Sequence, residues 1–207
     1  MKKKLNDIIE LTDEKPQDEP WTYLPEGGIL FVRRPSDAEI ANIYQLTQTE
    51  ITSSSASLPV IETVHKHNKD SFWGVYQASD STKQDARLIG YYSFLHLTQT
   101  GRDNLEQGTF DATEPDLDLL VPSGERPAAM YVWALVARKV ARMATPLVAW
   151  ALGAKLYGGV ALYATAGTLG GLNTMKGYGF SGARPSDAGL GHLFRLDPQA
   201  RKVPEAA

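Results

Sequence analysis

The sequence predicts an α/β (α+β) fold in which helices flank a mixed, mostly antiparallel central sheet. Two observations lead to this prediction. The apolar patterns follow one another in the order β, α, α, β, β, β, α, β, α, β, with alternation in the strands and helical spacing in the helices. In addition, residues 130–180 join a strand, a basic turn, a helix start and a glycine-aromatic ending in that order.

The individual elements rest on local patterns. Residues 29–33 form a short apolar strand. Ser36 and Glu39 form a capping box, and Ile40 and Ile43 follow at helical spacing, so a first helix begins there. The remaining predicted elements are a helix over 58–68, a strand hairpin over 72–78 and 88–97, a polar loop over 101–114, an irregular edge over 116–121, a strand over 130–136, a helix from Pro146, a strand over 160–165, a helix over 168–176 and a last strand over 192–196.

Length and composition predict one domain over residues 28–197, with an extended or disordered arm at 1–27 and a flexible tail at 198–207. A net charge of −3 argues against nucleic-acid binding, because a phosphate backbone requires a basic face. The absence of cysteine excludes disulfides and thiolate metal sites. The uncharged run 143–154 is shorter than the roughly 20 residues of a membrane span. We therefore expect a cytoplasmic protein that binds neither nucleic acid nor membrane.

The basic turn after the strand at 130–136 is the strongest functional signal. It carries Arg138, Lys139 and Arg142, and Thr145 with Pro146 is typical of a helix start. Free amides at a helix start, together with three cations, predict a site for phosphate. The alternative is one long amphipathic helix from Tyr131 onward, in which the cations are merely solvated.

Three segments resemble one known family. The opening ILFVRRPSDAEIANIYQL, the pair FWGVYQA and LIGYYSFLHL, and the run from MYVWALV to KGYGF are similar to the GCN5-related N-acetyltransferase (GNAT) superfamily, of which the chain would be a divergent member. The resemblance covers residues 28–197. It implies a GNAT-like fold, acetyl-CoA as co-substrate, and direct acyl transfer to a small-molecule or protein amine without a metal. The alternative is a degenerate, non-catalytic member that binds acyl-CoA or a protein partner.

The resemblance also implies which residues contact the cofactor. In that family the turn has the pattern Gln/Arg-x-x-Gly-x-Gly/Ala. If Lys139 fills the first place, Arg142 stands where glycine is usual and Ala144 closes the motif; if Arg138 fills it, Ala141 and Met143 take the two small positions. The expected cofactor-binding residues are Ala134, Leu135 and Val136 of the strand, Lys139, Val140, Ala141, Arg142, Met143, Ala144 and Thr145 of the turn, and Thr168 and Met175 of the following helix.

The catalytic groups are harder to assign. Many relatives place a proton-donating tyrosine where this chain has Met175, and methionine cannot donate a proton. Tyr163 and Tyr178 lie nearby in sequence, although packed or rim positions are the more usual use of such tyrosines. The strand at 130–136 lacks a carboxylate, so Asp118, in the acidic segment before it, is the candidate base.

Two further expectations concern metals and assembly. The four histidines lack the spacing of metal ligands, so no metal site is predicted. A homodimer is a candidate assembly, because the sheet has edges and Val148, Trp150 and Leu152 offer apolar surface.

Overall fold

The computed structural model describes residues 20–51, 55–137, 139–152, 159–184 and 186–198. Within these residues, eight strands form one sheet. The strands are β1 Trp21–Tyr23, β2 Ile29–Arg33, β3 Phe72–Ala78, β4 Arg87–Leu97, β5 Ala129–Val136, β6 Ala161–Thr165, β7 Ser181–Gly182 and β8 Leu193–Leu196. The α-helices of the described residues are α1 Ile40–Glu50, α2 Leu58–His67, α3 Gln99–Gln107, α4 Thr145–Leu152 and α5 Leu169–Gly177.

The sheet is mixed and mostly antiparallel, which confirms the predicted fold class. Its strand order is β1-β2-β3-β4-β5-β6-β8-β7. Strands β5 and β6 pair in parallel, and the other neighbouring strands pair antiparallel. The chain between β5 and β6 contains α4, as a parallel connection requires a crossover.

Helices cover both faces of the sheet. One apolar cluster joins α1, α2 and α3 to the face that carries Tyr91, while a second joins α4 to the face that carries Tyr92. Successive residues of a strand point to opposite faces, which is why neighbouring tyrosines enter different clusters. By the same alternation Leu193 faces the first cluster and Phe194 packs under Leu172 of α5. Helices α4 and α5 therefore lie on the same side of the sheet.

The start of α1 matches the predicted capping box. The Ser36 amide donates a hydrogen bond to the Glu39 carboxylate at 2.9 Å, and a short 3-10 turn over Asp37–Glu39 leads into the helix. Ile40 and Ile43 are buried, as their helical spacing predicts. Upstream, the segment predicted as an arm contains β1, which pairs with β2, while residues 1–19 lie outside the described part of the chain.

The predicted polar loop over 101–114 is wrong, because α3 occupies Gln99–Gln107. The helix is held by its ends. The Thr98 hydroxyl accepts a hydrogen bond from the Gly101 amide at 3.1 Å, and Gly108 ends the helix at φ 78°. Only Gly101 and Leu105 are buried, so the helix lacks a clear apolar face in the sequence. After it, the segment over 116–121 forms a 3-10 turn at Leu117–Leu119.

Two further predictions are corrected by the structure. The alternative of one long helix from Tyr131 is wrong, because Ala129–Val136 is strand β5. Val148 is buried against the sheet and offers no exposed apolar surface, whereas the side chains of Trp150 and Leu152 lie outside the described residues. None of the described helices is both long enough and apolar enough to cross a membrane.

Candidate functional site

The parallel strands β5 and β6 separate halfway along their length. Their paired residues end at Val132 and Ala164. Beyond that point β5 continues to Val136 beside β4, whereas Thr165 of β6 pairs with Leu193 of β8. Since alternate residues of a strand direct their N–H and C=O groups to opposite neighbours, part of the backbone of Trp133–Val136 faces a gap where the β6 ladder would be.

Leu135 shows that one face of β5 beside this gap is open to solvent. It lies on the fifth of eight strands, yet its side chain is 50% exposed. Leu135 stands opposite Tyr92 on β4, so both side chains lie on the face covered by α4 and α5. A register shift at Ser93 and Phe94 leaves Trp133 as an extra residue on β5. Such bulges bend a strand and are frequent beside functional sites.

The basic turn after β5 is helical from its beginning. A 3-10 helix over Lys139–Ala144 runs directly into α4 at Thr145. The α-helix begins where the sequence predicts, but the helical run starts earlier. The first amides of a helical run have no partner within it, and 3-10 bonds begin at the third helical residue, so the described amides available to an anion are those of Lys139 and Val140.

Large and small side chains of the turn point in opposite directions. Ala141 and Ala144 are buried, while Arg142 and Met143 are exposed. A Cβ atom on Gly90 of β4 would lie 3.1 Å from the Ala141 Cβ, so the turn lies close against the sheet at this point. Small residues are therefore required on the inner side and large ones are tolerated on the outer side, which leaves both family registers open.

Arg142 is the cation of the basic turn whose side chain the structure describes. Its Nε donates a hydrogen bond to the Ala137 carbonyl at the end of β5, at 3.2 Å. A guanidinium carries four further N–H donors, which suits an exposed anion. The predicted contribution of Arg138 falls outside the described residues, and so does the side chain of Lys139.

Tyr92 fastens the turn to the sheet. Its hydroxyl lies 2.6 Å from the Thr145 hydroxyl, which donates a hydrogen bond to the Arg142 carbonyl at 2.9 Å. Because the single proton of Thr145 is used there, Tyr92 is the donor in their shared bond. Thr145 thus connects the turn to β4, whereas the sequence predicts that it caps the first amides of the helix.

The Tyr92 phenol is buried, and charged groups around it act on its pKa. The pKa of Tyr92 is raised, first by burial, and the hydrogen bond with Thr145 opposes that shift. The charge of Tyr178 raises this pKa further, and the charge of Arg142 lowers it. The side chain of Tyr178 is 56% exposed, so it lies at the surface rather than in the core.

Hydrogen bonds cap both ends of α5. Thr168 is the N-cap, and its hydroxyl accepts a hydrogen bond from the Gly171 amide at 3.1 Å. At the other end, the Phe180 amide donates to the Met175 carbonyl at 3.1 Å, and Gly179 adopts φ 90°. Met175 packs with Phe180 beside a small apolar cluster. The glycine-aromatic ending is therefore a C-cap, and Thr168 uses its hydroxyl as a cap.

Asp118 and Tyr163 both lie away from the basic turn. Asp118 follows Leu117 in a turn beside the Leu97–Leu120 bridge, near the first residue of β5. The basic turn lies at the opposite end of β5. Seven residue steps of roughly 3.3 Å along the strand place it about 23 Å away. Tyr163 is fully buried on the face covered by α1, α2 and α3, and its hydroxyl donates to Glu106.

Three important residues of this region carry no signal in the sequence. Gly90, Tyr92 and Glu106 meet their partners only through the pairing of distant segments, and the sequence analysis assigns none of them to the site. For metals, the described residues contain no group of three His, Cys, Asp or Glu side chains that could hold an ion.

Together these residues can bind an extended ligand with a phosphate at one end. Strand β5 offers backbone groups along the gap, and both helical runs begin at the carboxyl ends of the parallel strands. Ligands of α/β proteins commonly bind in the crevice outside such ends. Comparison with known proteins does not identify a family, since no family model and no curated protein matches the chain.

Proposed function

We propose that the protein is an acyl-CoA-dependent N-acyltransferase, with acetyl-CoA as the expected donor, that acts on a small-molecule or protein amine by direct transfer. The observation that carries the proposal is the gap between β5 and β6, which leads directly to the helical basic turn. The pantetheine arm contains amides that can pair with the backbone of Ala134–Val136. The pyrophosphate carries charge that suits the first amides of the turn and Arg142.

The residues of this chain would contribute mainly by binding and orientation. Leu135 and Met143 offer apolar contact at the opening, being 50% and 41% exposed. Tyr92 and Thr145 hold the turn at a fixed distance from the strand. Tyr178 supplies a hydroxyl near the opening and could return a proton to the departing thiolate, a task for which Met175 has no suitable group.

The second candidate function is binding of acyl-CoA without turnover. Met175 favours it, because this side chain packs beside Leu172 and Phe194 where the family resemblance implies a tyrosine. The two candidates share the cofactor site and differ in whether an amine is acylated. Release of free coenzyme A above background with any amine in a broad panel would contradict the second candidate.

Calorimetric titration with coenzyme A and acetyl-CoA tests the shared site. We expect micromolar binding by the wild-type protein and a loss of about tenfold or more in Arg142→Glu, as for a lost charge-assisted hydrogen bond. Lys66→Glu is the matched control, since Lys66 is an exposed cation on α2, on the other face of the sheet. Absence of heat with the wild-type protein, or equal weakening in both variants, would contradict the proposal.

A further inference from the structure

Glu106 stands over the point where β5 and β6 separate. It is the next-to-last residue of α3, and it accepts a hydrogen bond from the Tyr163 hydroxyl. Tyr163 pairs with Tyr131 one position before the last paired residues of the two strands. Its side chain joins the cluster under α1, α2 and α3, so Glu106 lies on the face opposite to the basic turn.

One oxygen of the Glu106 carboxylate accepts a hydrogen bond, while the side chain remains partly exposed to solvent. Its side chain is 37% exposed, although its partner Tyr163 is fully buried. Arg195 forms an ion pair at 3.8 Å with the oxygen that accepts from Tyr163, and Asp197 binds the same guanidinium at 2.6 Å. Arg102, one turn earlier on α3, pairs with Asp103 at 3.4 Å. Glu106 therefore keeps capacity for a further donor.

The position of Glu106 on its helix also favours a cation. The last turn of a helix carries partial negative charge on its carbonyl groups, so a carboxylate there is mildly unfavourable and a cation is stabilised. Burial raises the pKa of Tyr163, as does its bond to Glu106, so the phenol remains a donor near neutral pH. The combination of a fixed carboxylate and a helix C-terminus is suited to an ammonium group.

We infer that Glu106 binds the acceptor amine and takes its proton, so that the acceptor is a cationic primary amine entering from the side of α3. The inference rests on the proposed function. The ammonium loses one proton to the free oxygen of Glu106, directly or through one water. The neutral nitrogen then forms the C–N bond as the C–S bond breaks. The second nitrogen proton goes to the thiolate, and Glu106 releases its own to solvent.

Glu106→Gln separates this role from a structural one. Glutamine keeps an oxygen that accepts the Tyr163 hydrogen bond, but it cannot take a proton. Glu114→Gln, in an exposed loop, is the matched control. The rate of coenzyme A release from acetyl-CoA is measured for the three proteins with n-butylamine, diaminobutane and lysine methyl ester, and coenzyme A affinity is measured by calorimetry.

We expect Glu106→Gln to bind coenzyme A like the wild-type protein, to lose about a hundredfold or more in kcat/KM, and to lose the low-pH limb of its rate profile. Glu114→Gln should match the wild-type protein. Wild-type rates and an unchanged profile in Glu106→Gln would overturn the inference. The inference would also be overturned if the wild-type protein binds coenzyme A but no amine accelerates coenzyme A release, a result that agrees with the proposed cofactor site. Absence of coenzyme A binding would instead overturn the proposed function.

Discussion

Substitution of Gly90 by alanine tests how the basic turn is held against the sheet. An added Cβ would lie 2.5 Å from the Val136 carbonyl oxygen and 3.1 Å from the Ala141 Cβ. The first separation is about half an ångström shorter than carbon and oxygen atoms normally allow, so β4 and β5 must move apart. Such overpacking typically lowers the free energy of unfolding by about 1–3 kcal/mol.

The assay is urea unfolding, with Gly177→Ala as the control. A Cβ on Gly177 would meet nothing within 4 Å, and this residue ends α5, so the control should be neutral or slightly stabilising. We expect the Gly90 variant to lose about 2 kcal/mol. If coenzyme A binds as proposed, its affinity should fall as well, because displacement of Ala141 moves the preceding amides of Lys139 and Val140. Equal stability of both variants would refute the close contact between the turn and β4.

Three further predictions follow from single side chains. The hydrogen-bonded Arg33 lowers the pKa of Glu39 from 4.5 to about 2. The free energy of unfolding should therefore fall by about 1–2 kcal/mol, after allowance for solvent screening, as pH falls through this interval. Glu39→Gln should remove that dependence in acid unfolding. Burial lowers the pKa of His96 from 6.5 to about 4, so stability should fall by about 3 kcal/mol as pH falls between these values. His96→Leu should lose this part of the dependence and keep the smaller part from His65, whose pKa burial also lowers. Tyr92→Phe should lower the unfolding free energy by about 1 kcal/mol in urea, because the Thr145 hydroxyl loses its partner.

Much of the fold could be predicted because its signals are local. The β3–β4 hairpin follows from two alternating segments around a polar turn, and the start of α1 follows from Ser36 and Glu39. Helix α3 could not be predicted in the same way. It is stabilised by the Thr98 cap and by the close approach of Gly101 to Leu119, where a Cβ would lie 2.2 Å from the carbonyl oxygen. That contact depends on tertiary structure, so helical periodicity does not reveal it.

The candidate site likewise combines groups that are consecutive in sequence with groups that only tertiary structure brings together. The strand, basic turn and helix are consecutive in sequence, so their order was predictable from residues 130–152. The groups around them come from elsewhere, since Tyr92 is 53 residues from Thr145 and Tyr163 is 57 residues from Glu106. Asp118 shows that closeness in sequence does not fix a position in space. It is close to β5 in sequence, but antiparallel pairing of β4 with β5 places it at the far end of the strand from the turn.

The gap itself is the strongest argument for a ligand. Continued pairing of β6 with β5 would give the gap-facing backbone groups of Trp133–Val136 a partner strand. Instead, β6 ends at Thr165, and Leu135 stays half exposed in the middle of the sheet. An extended molecule with amides could pair with Trp133–Val136, with its phosphate end near Arg142 on one face of the sheet and its reacting end near Glu106 on the other. The gap would then connect a phosphate-binding side with an amine-binding side, as transfer between two substrates requires.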